Sequence, residues 1–246
     1  MRLTADYHTH TIYSHGKGTI RENVEAALKK GLKEIGICDH GPGHFLYGVK
    51  REKLFKMREE IDKLNEEYKD KGIKILLGVE ANIIGYDGTI DVDDEIIEIL
   101  DILLLGFHYG AIPKSIREYI LLNVMNPLSK AMPFIRKWIE KRNTEAIIRA
   151  IEKYPIDIIT HPGDKARLNI KKVAEVASKR GVALEINAKH KELSVESLRM
   201  LLDTKVDFYI NSDAHDPSEV GEVDKSIKRA IEAKIPINRI RNVEEK

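Results

Sequence analysis

Seven short apolar runs, each followed by an amphipathic segment, constrain the fold of this chain more than any other feature. Runs such as residues 102–107 are apolar along nearly their whole length, which is typical of parallel strands covered on both faces. Strands that alternate with helices predict an α/β fold with a parallel sheet. We expect strands at residues 2–7, 34–39, 73–79, 102–107, 156–160, 182–186 and 206–212.

The segments between these runs have the spacing of helices. Leu54, Met57 and Ile61 begin a series of apolar residues three and four apart, which predicts a helix with one buried face. Thr19 followed by Glu22 is a capping box, and it marks the start of the first helix. The predicted helices cover residues 19–31, 50–71, 93–100, 144–153, 170–180, 195–203 and 222–234.

Polar side chains gather where the predicted strands end. His8 and His10 close the first strand, His40 the second and Glu80 the third. Further members of this set lie at or just past other strand ends: His15, His108, His161, Asp213 and His215. In an open sheet such ends are spread along a line, whereas in a barrel they surround one mouth. We therefore predict a closed or nearly closed barrel of seven strands, with a site at its mouth.

Nine such residues together predict metal binding. Alternation along a strand places His8 and His10 on the same face, and a polar group driven into an apolar interior is costly unless it is satisfied. Imidazole and carboxylate ligands suit Zn²⁺ best, with Mn²⁺ or Fe²⁺ as alternatives. Nine ligands exceed the needs of one ion, so three sites with Glu80 bridging are expected, and clustered ions favour phosphoester hydrolysis. For His44 and His190 we expect surface or capping roles.

Composition excludes several classes of protein. The chain has 246 residues and a formal net charge of +1, so no basic field indicates a nucleic-acid module. The single cysteine, Cys38, cannot form an internal disulfide. No signal segment precedes the first strand, and no apolar stretch reaches the roughly 18 residues of a membrane span. These features predict a cytoplasmic protein without a membrane partner.

The residues at the strand ends form motifs that resemble the PHP (polymerase and histidinol phosphatase) superfamily of metal-dependent phosphoesterases. The motifs are Asp6-Tyr7-His8-Thr9-His10-Thr11, Cys38-Asp39-His40-Gly41-Pro42, Gly78-Val79-Glu80-Ala81-Asn82, Gly106-Phe107-His108, His161-Pro162-Gly163 and Ser212-Asp213-Ala214-His215. The stretches at 80–83, 87–91 and 183–187 are most similar to the small bacterial phosphatases of the YcdX type. The resemblance implies a distorted (β/α)7 barrel with a trinuclear metal centre, formed by one domain over residues 1–246.

The resemblance also implies an assignment of ligands. His8, His10, Glu80 and Asp213 would hold one metal ion, His15, His40 and His215 a second, and Glu80, His108 and His161 a third. Glu80, Asp213 and His215 are the residues expected to be catalytic as well. The implied reaction is attack on a small phosphomonoester by a hydroxide activated by the metal centre.

Other activities remain open from the sequence. Histidinol phosphate is one substrate that the resemblance offers. A 3′–5′ exonuclease or phosphodiesterase is a second alternative, although the net charge of +1 provides no long basic track. A metal-binding scaffold without catalysis is a third. An amidohydrolase would need eight strands and, in binuclear members, a lysine where His108 stands.

Several charged residues beside the predicted ligands have two interpretations. Asp6 and Asp39 either orient ligand imidazoles or cap local turns. The loop cations Lys17, Lys165, Arg167 and Lys189 lie on the same face of the predicted barrel. We expect one or two of these cations to contact the substrate phosphate and the others to be solvated.

Residues 109–143 form an insertion in the alternating pattern. We expect two short helices, one at 116–124 and one starting near Pro133, where proline suits a first helical turn. The segment is apolar, with Leu121, Leu122 and Trp138 among its side chains. Because it follows the fourth strand, we predict a lid over the site or a contact between subunits of a homo-oligomer. An extra pair of helices packed against the barrel is the alternative.

Overall fold

The computed structural model describes residues 1–245, so Lys246 of the predicted domain lies outside the described residues. Seven parallel strands form one sheet in the order β2-β3-β4-β5-β6-β7-β8, and a small antiparallel ribbon joins β1 to β9. The strands are β1 (Arg2–Leu3), β2 (Ala5–Thr9), β3 (Glu34–His40), β4 (Lys74–Asn82), β5 (Ile102–Gly106), β6 (Ile158–Ile159), β7 (Ala183–Asn187), β8 (Phe208–Asn211) and β9 (Val243–Glu244). All seven predicted strands are present, whereas the β1–β9 ribbon was not predicted.

The sheet is nearly closed into a barrel at a junction between β2 and β8, called the seam here. At its upper end the His10 N–H donates to the Ala214 carbonyl (2.8 Å), and the Ala214 N–H donates to the His8 carbonyl (3.2 Å). Lower down, the Asn242 side chain replaces strand pairing by donating to the carbonyls of Ala5 (2.8 Å) and Ile210 (2.6 Å). The predicted α/β barrel with seven strands is therefore confirmed.

Helices follow the strands along the chain and pack against the sheet. In the first of them Thr19 accepts a hydrogen bond from the Glu22 N–H, and the Glu22 carboxylate accepts from the Thr19 N–H, as the capping box predicts. The helices are α1 (Ile20–Lys29), α2 (Arg51–Tyr68), α3 (Asp94–Ile99), α4 (Ile116–Tyr119), α5 (Asn126–Ala131), α6 (Pro133–Lys153), α7 (Ile170–Arg180), α8 (Val195–Met200) and α9 (Asp224–Glu232).

The insertion differs from the two short helices that were predicted. A π-helical segment, Ile120–Met125, connects α4 to α5, and Pro133 begins a helix of 21 residues that includes the helix predicted at 144–153. The physical reason lies in the buried face of α6, because Ile139, Asn143 and Ile147 are four residues apart and share it. No helix breaker interrupts that face, so the helix continues onto the barrel.

One hydrophobic core joins helices to the outer face of the sheet and includes residues from Leu3 to Ile240. A second, smaller cluster contains Cys38, Leu76, Leu104 and Ile158, with Tyr7 and Tyr209 packed against it. No helix among residues 1–245 combines the length and the apolarity that crossing a bilayer requires. The apolar runs thus form the strands and the core of the barrel, whereas the polar residues at the strand ends lie at its mouth.

Candidate metal centre

The structure brings all nine predicted ligands together at the carboxyl ends of the strands. His8 lies within β2, His40 ends β3 and Glu80 lies within β4, two residues before that strand ends. The other members follow strand ends or lie in the loop after β2: His10, His15, His108, His161, Asp213 and His215. Ligand atoms of His10, His15, His40 and His215 lie within 4.8 Å of one another, as do those of His8, His10 and Asp213.

Glu80 is the centre of the cluster. Its side chain is 1% exposed, and Oε1 lies 2.8 Å from His161 Nε2, 3.1 Å from His108 Nε2 and 3.3 Å from His8 Nε2. The second oxygen, Oε2, lies 3.0 Å from His40 Nδ1 and 3.7 Å from His10 Nε2. Five imidazoles therefore surround one buried carboxylate, whose two oxygens face different rings.

The hydrogen bonds of His108 define which of its nitrogens faces Glu80. The Asn82 amide donates through Nδ2 to Asp91, so its Oδ1 must accept the proton of His108 Nδ1 at 2.7 Å. In the neutral ring, His108 Nε2 then presents a lone pair to Glu80 Oε1 at 3.1 Å. Burial, opposed by Glu80, lowers the pKa of His108 to about 4. Two acceptors that face each other in a buried site repel, and a cation between them would remove that repulsion.

His8 and His215 are oriented in the same way. His8 Nδ1 lies 2.8 Å from the buried carboxylate of Glu185, and His215 Nδ1 lies 2.8 Å from the Asp213 carbonyl. With protons on these Nδ1 atoms, both Nε2 atoms are left for a metal ion. Such hydrogen bonds to the far nitrogen are the usual support of a metal-ligating imidazole.

The electrostatics of the cluster favour bound positive charge. Burial lowers the pKa of His8, but the carboxylates of Glu185, Glu80 and Asp213 outweigh it and raise that pKa well above its ordinary value. Burial, together with the neighbouring His40 and His215, lowers the pKa of His15 to about 3. Neutral imidazole is the form that binds metals. The cluster thus combines carboxylates that attract a cation with at least one imidazole that is neutral at neutral pH.

The distances within the cluster fit metal coordination. Two ligand atoms each about 2.0–2.1 Å from one ion, in tetrahedral geometry, are about 3.3 Å apart. The observed separations are 3.2 Å between Nε2 of His8 and His10, 3.3 Å between Nε2 of His108 and His161, and 3.4 Å from His10 Nε2 to Asp213 Oδ1. In addition, Nδ1 of His15 is buried without a hydrogen-bond partner, and Nδ1 of His40 lies 3.0 Å from Glu80 Oε2 without forming a hydrogen bond. The residues present therefore fit divalent metal ions.

Backbone geometry at the mouth is unusual at two candidate ligands. His161 and Asp213 have positive φ angles of 24° and 57°, in the region that side chains other than glycine rarely adopt. Such strain persists only where the surrounding structure imposes it, and it concentrates at functional sites. Gly106 lies beneath two of the rings, because a Cβ there would stand 3.1 Å from His108 Cε1 and 3.2 Å from His161 Cε1.

Asp6 and Asp39, which had two interpretations from the sequence, both accept hydrogen bonds from the backbone. Asp6 accepts from the backbone N–H groups of Ser212 and Gly221, and Asp39 accepts from the Thr11 N–H, so both hold backbone turns. Burial raises the pKa of both carboxyls.

The four loop cations differ in position. Lys165 lines the cavity of the site, and Lys189 Nζ lies 3.1 Å from His215 Nδ1. Lys17 pairs with Asp216 at 3.4 Å, and Arg167 lines a neighbouring cavity. Lys165 and Lys189 are therefore the cations nearest to the cluster.

His44 has the capping role that was predicted, whereas His190 is closer to the cluster than predicted. His44 Nδ1 accepts from the Tyr47 N–H at 3.1 Å, and its Nε2 donates to the Tyr109 carbonyl at 3.0 Å. His190 Nε2 lies 3.5 Å from Asp213 Oδ2, and its Nδ1 lies 3.2 Å from Asp164. These carboxylates raise the pKa of His190 to about 9 against the effect of burial.

The sequence reasoning missed the residues behind the ligands. The prediction gave Glu185 no role of its own, although a charged residue inside an apolar strand is a signal that it is held by partners. Asn82 and Asp91, which orient His108, were missed in the same way. His190 follows the end of β7 by three residues, and the rule applied to the other strand ends would have included it.

Fold and cluster together define a seven-stranded α/β barrel with a histidine- and carboxylate-rich metal centre at its mouth. The family model described as PHP domain matches residues 6–189. The chain belongs to the PHP domain family, as the motifs predicted.

Known proteins resemble the chain over nearly its whole length. A "Probable phosphatase" of Shewanella piezotolerans is 31% identical over 257 residues, covering 98% of this chain and 90% of that protein. One from Shewanella sediminis is 32% identical with the same coverage. The crystal structure of a histidinol phosphate phosphatase from Lactococcus lactis, complexed with zinc, L-histidinol and phosphate, has a TM-score of 0.60. That match covers 94% of this chain and 92% of the other at 18% identity, which establishes likeness of fold alone.

Proposed function

We propose that residues 1–246 form a single PHP domain that hydrolyses small phosphomonoesters with the help of three divalent metal ions. Family membership and the probable phosphatases that match 98% of the chain support a phosphoester hydrolase. The observation that carries the proposal is Glu80, a buried carboxylate whose two oxygens face five imidazole nitrogens within 3.7 Å. Divalent cations at that point would resolve the acceptor pairs around it.

The proposed ligands follow the three sets that the resemblance implies. His8, His10, Glu80 and Asp213 form one set, His15, His40 and His215 a second, and Glu80, His108 and His161 a third. The close approaches of His8, His10 and Asp213, and of Glu80 with His108 and His161, support the first and third sets. Zinc is the preferred ion, with manganese or iron as alternatives, since the donors are imidazole and carboxylate. The zinc in the Lactococcus lactis structure is consistent with this choice.

When bound, the ions supply charge stabilisation on the phosphoryl oxygens and a nucleophilic water near neutral pH. The protein holds the ligands for this chemistry: Glu185 and Asn82 keep Nε2 of His8 and His108 directed at Glu80. Glu80, Asp213 and His215 are the proposed catalytic residues. Glu80 belongs to two of the three ligand sets, and Asp213 and His215 line the open cavity of the site. Lys165 lines the cavity and is the cation best placed to contact substrate phosphate.

The alternative activities differ in how well they agree with the structure. An amidohydrolase is disfavoured because the described sheet has seven strands and His108 stands where a bridging lysine would be needed. Histidinol phosphate stays a prediction, since the Lactococcus lactis likeness is one of fold. The exonuclease and the scaffold also stay predictions, as does a cytoplasmic location.

Activity and metal content test the proposal together. The panel comprises p-nitrophenyl phosphate, histidinol phosphate, sugar phosphates and a labelled oligonucleotide, with bound metal counted by mass spectrometry. We expect about three ions per chain, hydrolysis of at least one small monoester, and loss of both in His8→Ala and Glu80→Ala. Glu34→Ala is the matched control, because that carboxylate begins β3 at the opposite end of the barrel. Retained turnover in either site variant contradicts the proposal.

For the insertion we propose a contact between two copies of the chain or a lid. Support comes from its exposed apolar side chains: Ile112, Ile116, Tyr119, Ile120, Val124, Leu128, Phe134 and Trp138. Ile116 and Phe134 are 82% and 74% exposed. If they mediate association, the double variant Ile116→Glu/Phe134→Glu lowers the mass measured by light scattering. An unchanged mass contradicts the subunit contact, and unchanged kinetics contradict the lid.

A further inference from the structure

Two tyrosine rings flank the open side of the ligand cluster. Tyr47 and Tyr109 line the same cavity, of about 220 Å³, as the candidate ligands, and they are 40% and 38% exposed. Apart from the candidate ligands, the described residues lining this cavity are His44, Tyr47, Tyr109, Lys165 and His190. The wall facing the cluster is therefore mainly aromatic, with one lysine.

Tyr47 is held flat beside the candidate ligands. Its ring stacks on the imidazole of His15, with centroids 4.3 Å apart and planes at 23°. It stacks also on His44, at 5.1 Å and 22°. Because both contacts constrain the same ring plane, the tyrosine is preorganised to meet a flat group that enters the cavity.

His44 joins the loops that carry the two tyrosines. The buried imidazole accepts from the Tyr47 N–H and donates to the Tyr109 carbonyl. The same loops pair through their backbones, where the Phe45 N–H donates to the Gly110 carbonyl at 2.8 Å. Tyr47 and Tyr109 thus belong to one connected rim and not to two independent loops.

The chemistry of this rim discriminates between leaving groups. Carboxylate and amide side chains, which recognise the hydroxyls of polyols, are absent from the described lining apart from Glu80 and Asp213, which face the cluster. Phe45 and Ile112 on the same two loops are 74% and 54% exposed, so apolar surface continues outward. Aromatic rings bind other flat rings through stacked or edge contacts.

We propose, on the basis of the phosphatase function above, that Tyr47 and Tyr109 form the subsite for the alcohol part of the ester. The site then prefers phosphomonoesters of flat, aromatic alcohols to phosphates of small polyols. The phosphate end lies at the cluster, and the ring of the alcohol packs against the rim.

Benzyl phosphate and glycerol 1-phosphate test this preference, because both are esters of primary alcohols and differ little in leaving-group chemistry. We expect a higher kcat/KM for benzyl phosphate in the wild type. Tyr47→Ala and Tyr109→Ala should each lower it about 3- to 10-fold, the range expected for one aromatic contact. The value for glycerol 1-phosphate should change less than about twofold. Tyr119→Ala is the matched control, an exposed tyrosine of the insertion outside the cavity lining.

Equal losses for both substrates, or no preference in the wild type, overturn the subsite while leaving the phosphatase intact. If neither these two substrates nor any monoester of the panel above is hydrolysed, the proposed function fails, and binding of benzylphosphonate against methylphosphonate by calorimetry decides the subsite alone. Tighter binding of benzylphosphonate that is lost in Tyr47→Ala supports it, and equal binding overturns it. Metal content measured in each variant separates loss of ligands from loss of the rim.

Discussion

Glu185 accounts for the position of two candidate ligands although it is not one of them. Its Oε1 accepts from His8 Nδ1 (2.8 Å) and from the Asn211 amide (3.0 Å). Its Oε2 accepts from the His161 N–H and from the Asn187 amide, both at 2.8 Å. Four donors satisfy this fully buried carboxylate. The residue thus links β7 to the ligands of two neighbouring strands.

Glu185→Gln should weaken metal binding by about 10- to 100-fold, the usual effect of removing the support of a metal ligand. Glutamine has the same shape as glutamate. In either orientation of its side-chain amide, however, the NH₂ group would face two hydrogen-bond donors. Titration of metal-free protein with zinc, followed by calorimetry, measures the change. Glu34→Gln, which alters a carboxylate that accepts from Tyr7 Oη at 2.6 Å, should leave zinc affinity unchanged. Equal affinities in the wild type and Glu185→Gln refute the positioning role.

Gly106→Ala should displace the rings above it, because the new Cβ would stand 2.5 Å from Thr160 Oγ1 and 3.2 Å from His161 Cε1. We expect loss of about one bound ion per chain and a lower kcat, measured by mass spectrometry and steady-state kinetics. Gly181→Ala is the control, because it makes the same glycine-to-alanine change away from the candidate ligands. Gly181 has φ of 74° and nothing within 4 Å of the added Cβ, so the alanine costs about 1 kcal/mol of stability only. Full metal content in Gly106→Ala argues against the prediction.

At the scale of elements, a buried polar network attaches the insertion to the barrel. Asn143 of α6 accepts from Tyr86 Oη at 2.9 Å and donates to Asn126 Oδ1 at 2.7 Å. It also donates to the Arg167 carbonyl at 3.0 Å, in the loop that follows His161. The insertion and the loop with Lys165 are therefore held by one amide. A movement of the insertion would therefore displace the loop that carries Lys165 at the mouth of the barrel.

Asn143→Ala should destabilise the protein by about 1–3 kcal/mol, because it leaves buried donors and acceptors without partners. Urea unfolding followed by circular dichroism gives the free energy. Lys141→Ala on the exposed face of the same helix should change it by less than about 0.5 kcal/mol. Indistinguishable midpoints for Asn143→Ala and the wild type would show that the network contributes nothing.

Elements with a clear period could be predicted, whereas connections made by single polar side chains could not. The apolar runs gave every strand of the barrel, and residues at their ends gave all nine residues of the cluster. The length of α6 was missed because Ile139 and Asn143 were assigned to a short helix of the insertion, separate from the helix predicted at 144–153, although they share the buried face of one helix. Glu185, Asn82 and Asp91 were missed because hydrogen bonds across strands depend on register, and a single sequence does not reveal register.

For the whole molecule, the balance of charge at the mouth leads us to expect that stability depends on bound ions. Glu80, Asp213 and Glu185 are buried together, and nothing in the overall charge of +1 reveals this local concentration. Ions that bind only the folded state at 100 times their Kd stabilise it by about 2.7 kcal/mol. For a chain of this size that corresponds to about 5–10 °C in Tm.

Removal of metal with a chelator should therefore lower Tm by about 5–10 °C, and added zinc should restore it. Differential scanning calorimetry on the same preparation with and without chelator measures the shift. Glu80→Gln should show little response to either treatment, because its central ligand is lost. A wild-type Tm that is indifferent to chelator contradicts binding of ions at the mouth.

The seam has a consequence for the order in which the molecule assembles. Three of the four hydrogen bonds described there join residues more than 200 positions apart, such as Ala5 and Asn242. Contacts of this separation form late, since the chain between them must first be ordered. On a ribosome, the first strand with His8 and His10 must wait until Asp213 and the segment up to Asn242 have emerged. The complete set of candidate ligands thus comes together only after the last strand of the barrel has been synthesised.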